Sequence, residues 1–384
     1  MNLRLFGSLA CAVALLSITI TPASAAQDHQ DVSSEWSAPE SPSVLKIDKT
    51  FSNGPDQLSG TLYVPSVSQL VPAVVAFHAA STSTRDAALF RHLAQMLPQL
   101  GVAVFVYDRR GSGKSVGKSA HGDYELLAED GLSAARMLAQ DPRIDSRRIG
   151  FWGLSQGGWL SLLAAAHSAD VAFAISVSAP ITTPDVQMNF AVANILRIKG
   201  YSQADIDTAI AARKAVDDFE RGQLDRATAQ KRLDQAAAKP WFDLIYMDKT
   251  FADPDQAAWA KEIKNDPLPT LFKVKAPTLI IYGAKDPWVP VRVSLDLLRE
   301  HAQQLPNVQV AVIAGADHDM MLSASAEGQI DPSHLTQFAP EAAAYFSVVA
   351  SWLTAHGIAH SGPLAHYGHA AIVRGSPSAL VGPE

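Results

Sequence analysis

The stretch RIGFWGLSQGGWLSLLAAA, Arg148 to Ala166, decides how this chain is read. A short apolar run, Ile149–Trp152, stops at Gly153, and a segment with helical spacing begins at Gln156. Between them lies Gly153-Leu154-Ser155-Gln156-Gly157. A serine on a sharp strand-to-helix turn needs small residues two before and two after it, because strand and helix approach closely there. The helix that follows also aims its free N–H groups and positive dipole end at the serine oxygen. Ser155 is therefore a candidate nucleophile.

The same letters recur at Gly113-Lys114-Ser115-Val116-Gly117. There the preceding apolar run ends near Tyr107, and turn-like KSAHGD follows. A phosphate-loop reading of GSGKS fails because Asp108 stands where that pattern needs glycine. A dinucleotide reading fails because Val116 replaces the third glycine. This copy is expected to be a structural turn.

Around the first stretch, apolar runs alternate with helical patterns. Strands are expected at Val44–Phe51, Leu58–Val64, Pro72–Phe77, Val102–Tyr107, Ile149–Trp152, Val171–Val177, Thr278–Tyr282 and Val308–Ile313. Runs such as AVVAF and TLIIY suit strands buried on both faces of a parallel sheet. Helices are expected at Asp86–Leu97, Tyr124–Leu138, Gln156–Ala166, Arg292–Gln304 and Ala339–His356. The alternation predicts an α/β fold with a doubly wound, mostly parallel sheet. The first two strands have no helix between them and should pair antiparallel at one edge. From Ala179 to Lys273 no convincing strand occurs. Ile206–Phe219 and Leu224–Ala238 read as amphipathic helices with Gly222 in the turn, and Trp241, Phe242, Ile245, Tyr246 and Trp259 follow. This insertion is expected to be a helical cap over the carboxyl edge of the sheet, its aromatic residues shaping a pocket.

Serine is a weak nucleophile and needs a base, which needs an orienting acid. On such a sheet the expected chain order is serine, acid, histidine, each just past its strand. APTLIIYGAKDPWVP puts Asp286 after one buried strand, and VQVAVIAGADHDMML puts His318 after the next. Asp185, after the preceding strand, is a rival acid. Asp317 and Asp319 flank His318 too closely in sequence to orient it and are expected to be solvated. His78 also ends a strand but precedes the serine, and reads as structural. The oxyanion hole needs two backbone donors: the N–H of Gln156 and that of Ala80, with Ala79 as its rival.

The chain has 384 residues, of which 48% are hydrophobic, with 18% charged, enough for a sizeable core. A net charge of −7 argues against a nucleic-acid partner, which requires a basic face. Residues 1–25 read as a signal peptide: Arg4, the apolar run Leu9–Ile20, then Ala23-x-Ala25 before the expected cut. That predicts an exported protein, periplasmic or secreted, with no stable membrane span after cleavage. Cys11, the single cysteine, would leave with it, removing disulfides, a thiol nucleophile and thiolate metal sites. Residues 26–43 read as a linker, 44–357 as the domain and 358–384 as a flexible tail. His356, at the end of the domain, and His360, His366 and His369 in the tail stand at no convincing ligand spacing.

With FHAASTSTRD, YDRRGSGKS, DPRIDSRRIGFWGLSQGG, APTLIIYGAKDPWVP and GADHDM in this order, the chain resembles the α/β-hydrolase superfamily from about Val44 to Gly357. It is similar to bacterial serine esterases and to the catalytic domain of the prolyl-oligopeptidase and dienelactone-hydrolase groups. The resemblance makes Asp108-x-Arg110-Gly111-x-Gly113 a fold signature. Relatives usually have glycine where this chain has Ala79, whose methyl could restrict the oxyanion loop. A dehalogenase or epoxide hydrolase would need aspartate in place of Ser155. The expected function is a carboxylesterase-type serine hydrolase of a small-molecule ester, with a serine peptidase or amidase of short peptides as the alternative. A non-catalytic binding protein on this fold would not need all of Ser155, Asp286 and His318. Neither a metal nor an organic cofactor is required.

Overall fold

The structure is a computed structural model that describes residues 43–322, 330 and 342–360. The expected signal peptide, most of the linker and the tail from residue 361 lie outside the described residues, with His366 and His369. Eight strands form one sheet in the order β1-β2-β4-β3-β5-β6-β7-β8. They are β1 Val44–Asn53, β2 Asp56–Pro65, β3 Val71–Phe77, β4 Ala103–Tyr107, β5 Ile144–Leu154, β6 Ala174–Val177, β7 Thr278–Gly283 and β8 Val308–Ile313. β1 pairs antiparallel with β2, and β2 with β4, while the remaining neighbours are parallel. The expected α/β class, strand set and antiparallel edge are all present. β3, β4 and β7 are buried at every position, as strands covered on both faces must be. Edge strand β1 is largely exposed.

One face of the sheet packs on α2 Tyr124–Leu138, α3 Gln156–His167 and α9 Val291–Glu300, through Leu127, Leu132, Leu160, Leu162 and Leu298. The other face packs on α1 Arg91–Met96 and α10 Ala343–Ala355, through Leu93, Met96, Tyr345 and Val349. α3 is apolar around nearly its whole circumference because it lies in the core. The helix expected over Asp86–Leu97 is shorter, with 3₁₀ turns at Ala88–Phe90 and Leu97–Leu100 on either side of α1. Pro98 has no N–H to extend it.

Between β6 and β7 the chain is helical: α4 Pro184–Ile198, α5 Gln203–Glu220, α6 Arg226–Ala237, α7 Ala258–Glu262 and α8 Pro267–Lys273. α4 escaped the sequence reading, although Pro184 and Asp185 in its first turn suit a helix start. The insertion has its own core of Val192, Leu196, Ile206, Val216, Leu233, Trp241, Phe242 and Ile245. This corrects the expected pocket: Trp241, Phe242 and Ile245 hold the insertion together, and only Tyr246 of that run is exposed, its ring edge-on to Trp288. The chain also stays packed beyond Gly357. Ile358 and Ala359 are buried, and the His360 N–H donates to Leu100 O at 2.9 Å. No helix among the described residues is long and apolar enough to cross a membrane.

Candidate active site

Ser155 sits where β5 turns into α3, with φ 56° and ψ −122°. A side-chain-bearing residue pays about 1–3 kcal/mol for such a conformation unless its surroundings impose it. Here they do. The Ser155 N–H donates to Val177 O at 2.8 Å, and its carbonyl accepts from Gly158 N at 2.9 Å. A Cβ on Gly153 would collide with the Gly157 backbone, and one on Gly157 would lie 2.7 Å from Phe77 O. Both glycines are thus required by contact between backbones. Among the described residues no hydrogen bond occupies Ser155 Oγ.

Asp286 and His318 follow β7 and β8. Their loops are stitched together by Ala284 N to Ile313 O at 3.0 Å and Lys285 N to Ala316 O at 2.9 Å. Gly283 permits the crossing, since a Cβ there would strike the Ala316 and Asp317 carbonyls. Asp286 Oδ1 accepts the amides of Trp288 at 2.8 Å and Val289 at 3.1 Å, which leaves Oδ2 to meet His318 Nδ1 at 2.8 Å. Burial works against charge on His318, but the Asp286 carboxylate, its hydrogen bond and the nearby Asp319 and Asp317 outweigh it and lift the imidazole to about 9. The His318 side chain keeps 17% exposure. No hydrogen bond joins His318 to Ser155; such contacts commonly tighten only with substrate bound.

The rival acid is engaged elsewhere: Asp185 pairs with Arg221 at 2.9 Å. Asp317 is buried rather than solvated, and its Oδ1 accepts the amides of Asp319 at 3.0 Å and Met321 at 2.8 Å. It braces the turn that carries His318. Sequence reasoning also missed how α4 holds the acid loop. Gln187 Nε2 donates to Trp288 O at 2.9 Å, and Asn194 Nδ2 to Pro287 O at 3.0 Å. The spacing of seven residues, two helical turns, was the available signal.

The loop after β3 carries His78, Ala79 and Ala80. His78 is buried between the edges of Phe90 and Tyr107, and burial, then Arg109, push it down to about 3. It is a neutral structural residue. Ala79 has no positive φ, so the backbone accommodates its methyl. The amides of Ala79, Ala80 and Gln156 donate to no group among the described residues.

The second copy of the pattern is built differently. Gly111, Gly113 and Gly117 have φ of 72°, 53° and 106°; Gly113 lies against the Asp108 carboxylate, Gly117 against that of Asp56, and Gly111 against the backbone of residues 117–119. Ser115 Oγ donates to Asp108 O at 2.6 Å and accepts from Ser59 N at 2.9 Å. Asp108 pairs with Arg85 at 2.8 Å, and Arg110 pairs with Asp130 and with Asp56.

A mixed sheet of this order, with a strained serine past β5 and an acid–histidine pair past β7 and β8, defines an α/β hydrolase. The sequence profile of the serine aminopeptidase S33 family matches residues 72–324, and the chain belongs to that hydrolase family. Among curated proteins, the polyketide transferase grgF of Penicillium sp is 33% identical over 92 residues, 24% of this chain and 31% of that protein. The thiohydrolase aneE of Aspergillus aculeatus is 35% identical over 85 residues, 22% of this chain and 27% of that protein. The chain thus spans less than a third of these relatives. Of solved structures, DcsB in complex with its substrate analogue has a TM-score of 0.51 at 17% identity, covering 82% of this chain and 98% of that one. The Pyrococcus furiosus esterase Pf2001 has a TM-score of 0.50 at 18% identity, covering 82% and 92%.

Proposed function

We propose that this protein is an exported serine hydrolase of the carboxylesterase type, acting on small-molecule esters through an acyl-enzyme. The observation that carries the reading is Ser155, held strained at the strand-to-helix turn with its hydroxyl unengaged among the described residues. In the proposed reaction Ser155 Oγ attacks the carbonyl carbon while His318 Nε2 takes its proton. Asp286 fixes the tautomer, with the proton on Nδ1, and stabilises the imidazolium. The Gln156 and Ala80 amides receive the oxyanion. His318 then protonates the departing alcohol, and water, deprotonated by the same imidazole, releases the acid and regenerates Ser155.

Family membership favours a second reading, the serine peptidase or amidase. The two share every step except the leaving group. A panel of p-nitrophenyl esters, acyl thioesters and aminoacyl nitroanilides separates them, with Ser155→Ala as the control. The expected result is ester turnover well above anilide turnover; the reverse order favours the peptidase. Export is checked by N-terminal sequencing of protein recovered from the periplasm or medium, which should begin at Ala26.

A further inference from the structure

Three consecutive charged residues, Asp108, Arg109 and Arg110, follow β4. Asp108 and Arg110 are spent on ion pairs with Arg85, Asp130 and Asp56. Arg109 is equally buried, at 2% exposure, yet it forms no salt bridge among the described residues. The carboxylates whose fields reach it are Glu262 and Asp130. Asp130 belongs to Arg110, and Glu262 accepts from the Tyr124 hydroxyl at 3.5 Å. A guanidinium does not lose its proton in a protein, so a charge stays buried here.

Its hydrogen bonds show where that charge is directed. Nη2 donates to His78 O at 3.2 Å, to Ala79 O at 3.4 Å and to Gln156 Oε1 at 2.8 Å. Nη1 meets His121 Nδ1 at 3.1 Å; because arginine has no acceptor, His121 accepts and carries its proton on Nε2. Gln156 Nε2 closes the ring by donating to His121 O at 3.1 Å. A trans peptide points its C=O and N–H in opposite directions. With the carbonyls of 78 and 79 drawn toward Arg109, the amides of Ala79 and Ala80 face away from it. The same guanidinium grips the side chain of Gln156, the other proposed donor.

We propose that Arg109 is the positioning residue of the oxyanion hole. It locks the loop after β3 to the first residue of α3, so that two amides from separate elements converge on one point. Its charge, which no carboxylate among the described residues meets within ion-pair distance, also lies behind that point. This inference rests on the serine-hydrolase reading.

The test compares wild type, Arg109→Met, Arg109→Lys, Gln156→Met and Ser155→Ala with a p-nitrophenyl ester and a fluorophosphonate. Arg109→Met should lower kcat and the phosphonylation rate in parallel by about 100-fold, as for loss of an oxyanion donor, with KM within about threefold. The acid limb of kcat/KM, set by His318, should not move. Arg109→Lys, which keeps charge without the fork, should recover about tenfold of that loss. Gln156→Met keeps its backbone amide but loses the grip, and should lower kcat by about tenfold; it carries the test if Arg109→Met does not fold. A folded Arg109→Met with kcat within about threefold of wild type, beside an inactive Ser155→Ala, overturns the role of Arg109. So does a Gln156→Met variant with unchanged kcat if Arg109→Met cannot be folded. An active Ser155→Ala overturns the nucleophile assignment and the inference with it.

Discussion

At Gly113–Gly117 the serine is saturated: Ser115 joins the Asp108 carbonyl to the Ser59 amide, and the left-handed glycines lie against carboxylates, Gly113 on Asp108 and Gly117 on Asp56. At Gly153–Gly157 the serine itself is left-handed, its hydroxyl is unengaged among the described residues, and the glycines let one backbone cross another. The same pattern therefore serves two ends. One serine fills the hydrogen bonds of a turn; the hydroxyl of the other has no partner among the described residues, as the proposed nucleophile requires.

The sharpest way to break that contrast is to remove each hydroxyl. Ser155→Ala should cut kcat/KM for an ester by more than about 1000-fold and leave the fold intact. Ser115→Ala should keep kcat within roughly threefold but cost about 1–3 kcal/mol in urea unfolding, because a buried amide and carbonyl lose their partner. A reversal of these effects would exchange the two assignments.

The glycines come next. Gly157→Ala forces a methyl against Phe77 O and His78 O, both backbone atoms that cannot swing aside. It should lower stability by more than about 3 kcal/mol or prevent folding, read by calorimetry and soluble yield. Gly54→Ala, where φ is 57° but open space surrounds the Cβ, should cost only about 1 kcal/mol.

A smaller effect concerns pH. Imidazolium cannot take the serine proton, so kcat/KM should rise with pH, with its midpoint displaced from the ordinary 6.5 toward about 9. Asp286→Asn should bring the midpoint down and lower the plateau. The same raised value stabilises the fold. That contribution is complete below 6.5 and fades as pH climbs through about 9, so urea midpoints of wild type and Asp286→Asn should converge in alkali. Smallest of all, Gln187→Ala and Asn194→Ala each remove one hydrogen bond from α4 to the acid loop. Each should lower kcat by about three- to tenfold, consistent with 0.5–1.5 kcal/mol per bond. No change in either would uncouple the insertion from Asp286.

Much of this was legible in the letters. Strands such as AVVAF and TLIIY reveal themselves because burial on both faces demands continuous apolar runs. The strained turn at Ser155 and the Asp286–His318 pair are legible from their position just past such strands. α4 was hidden because two of its anchors, Gln187 and Asn194, are polar residues that face the acid loop rather than a core. Trp241 and Phe242 misled because aromatic residues in an insertion look the same whether they fill a core or line a pocket. Asp317 was misjudged because only the turn geometry brings the amides of Asp319 and Met321 to it. Arg109 stood unnoticed between two signature residues, since nothing in DRRG says which arginine finds a carboxylate.

The central claim is that context, and not the shared pattern, makes one serine reactive. Fluorophosphonate treatment of the folded protein, followed by intact-mass measurement and peptide mapping, tests it most directly. One adduct per chain on Ser155, with Ser115 unmodified and Asp286→Asn labelled more slowly, is the predicted result. An adduct on Ser115, or a folded protein with Ser155 unlabelled, would contradict the account.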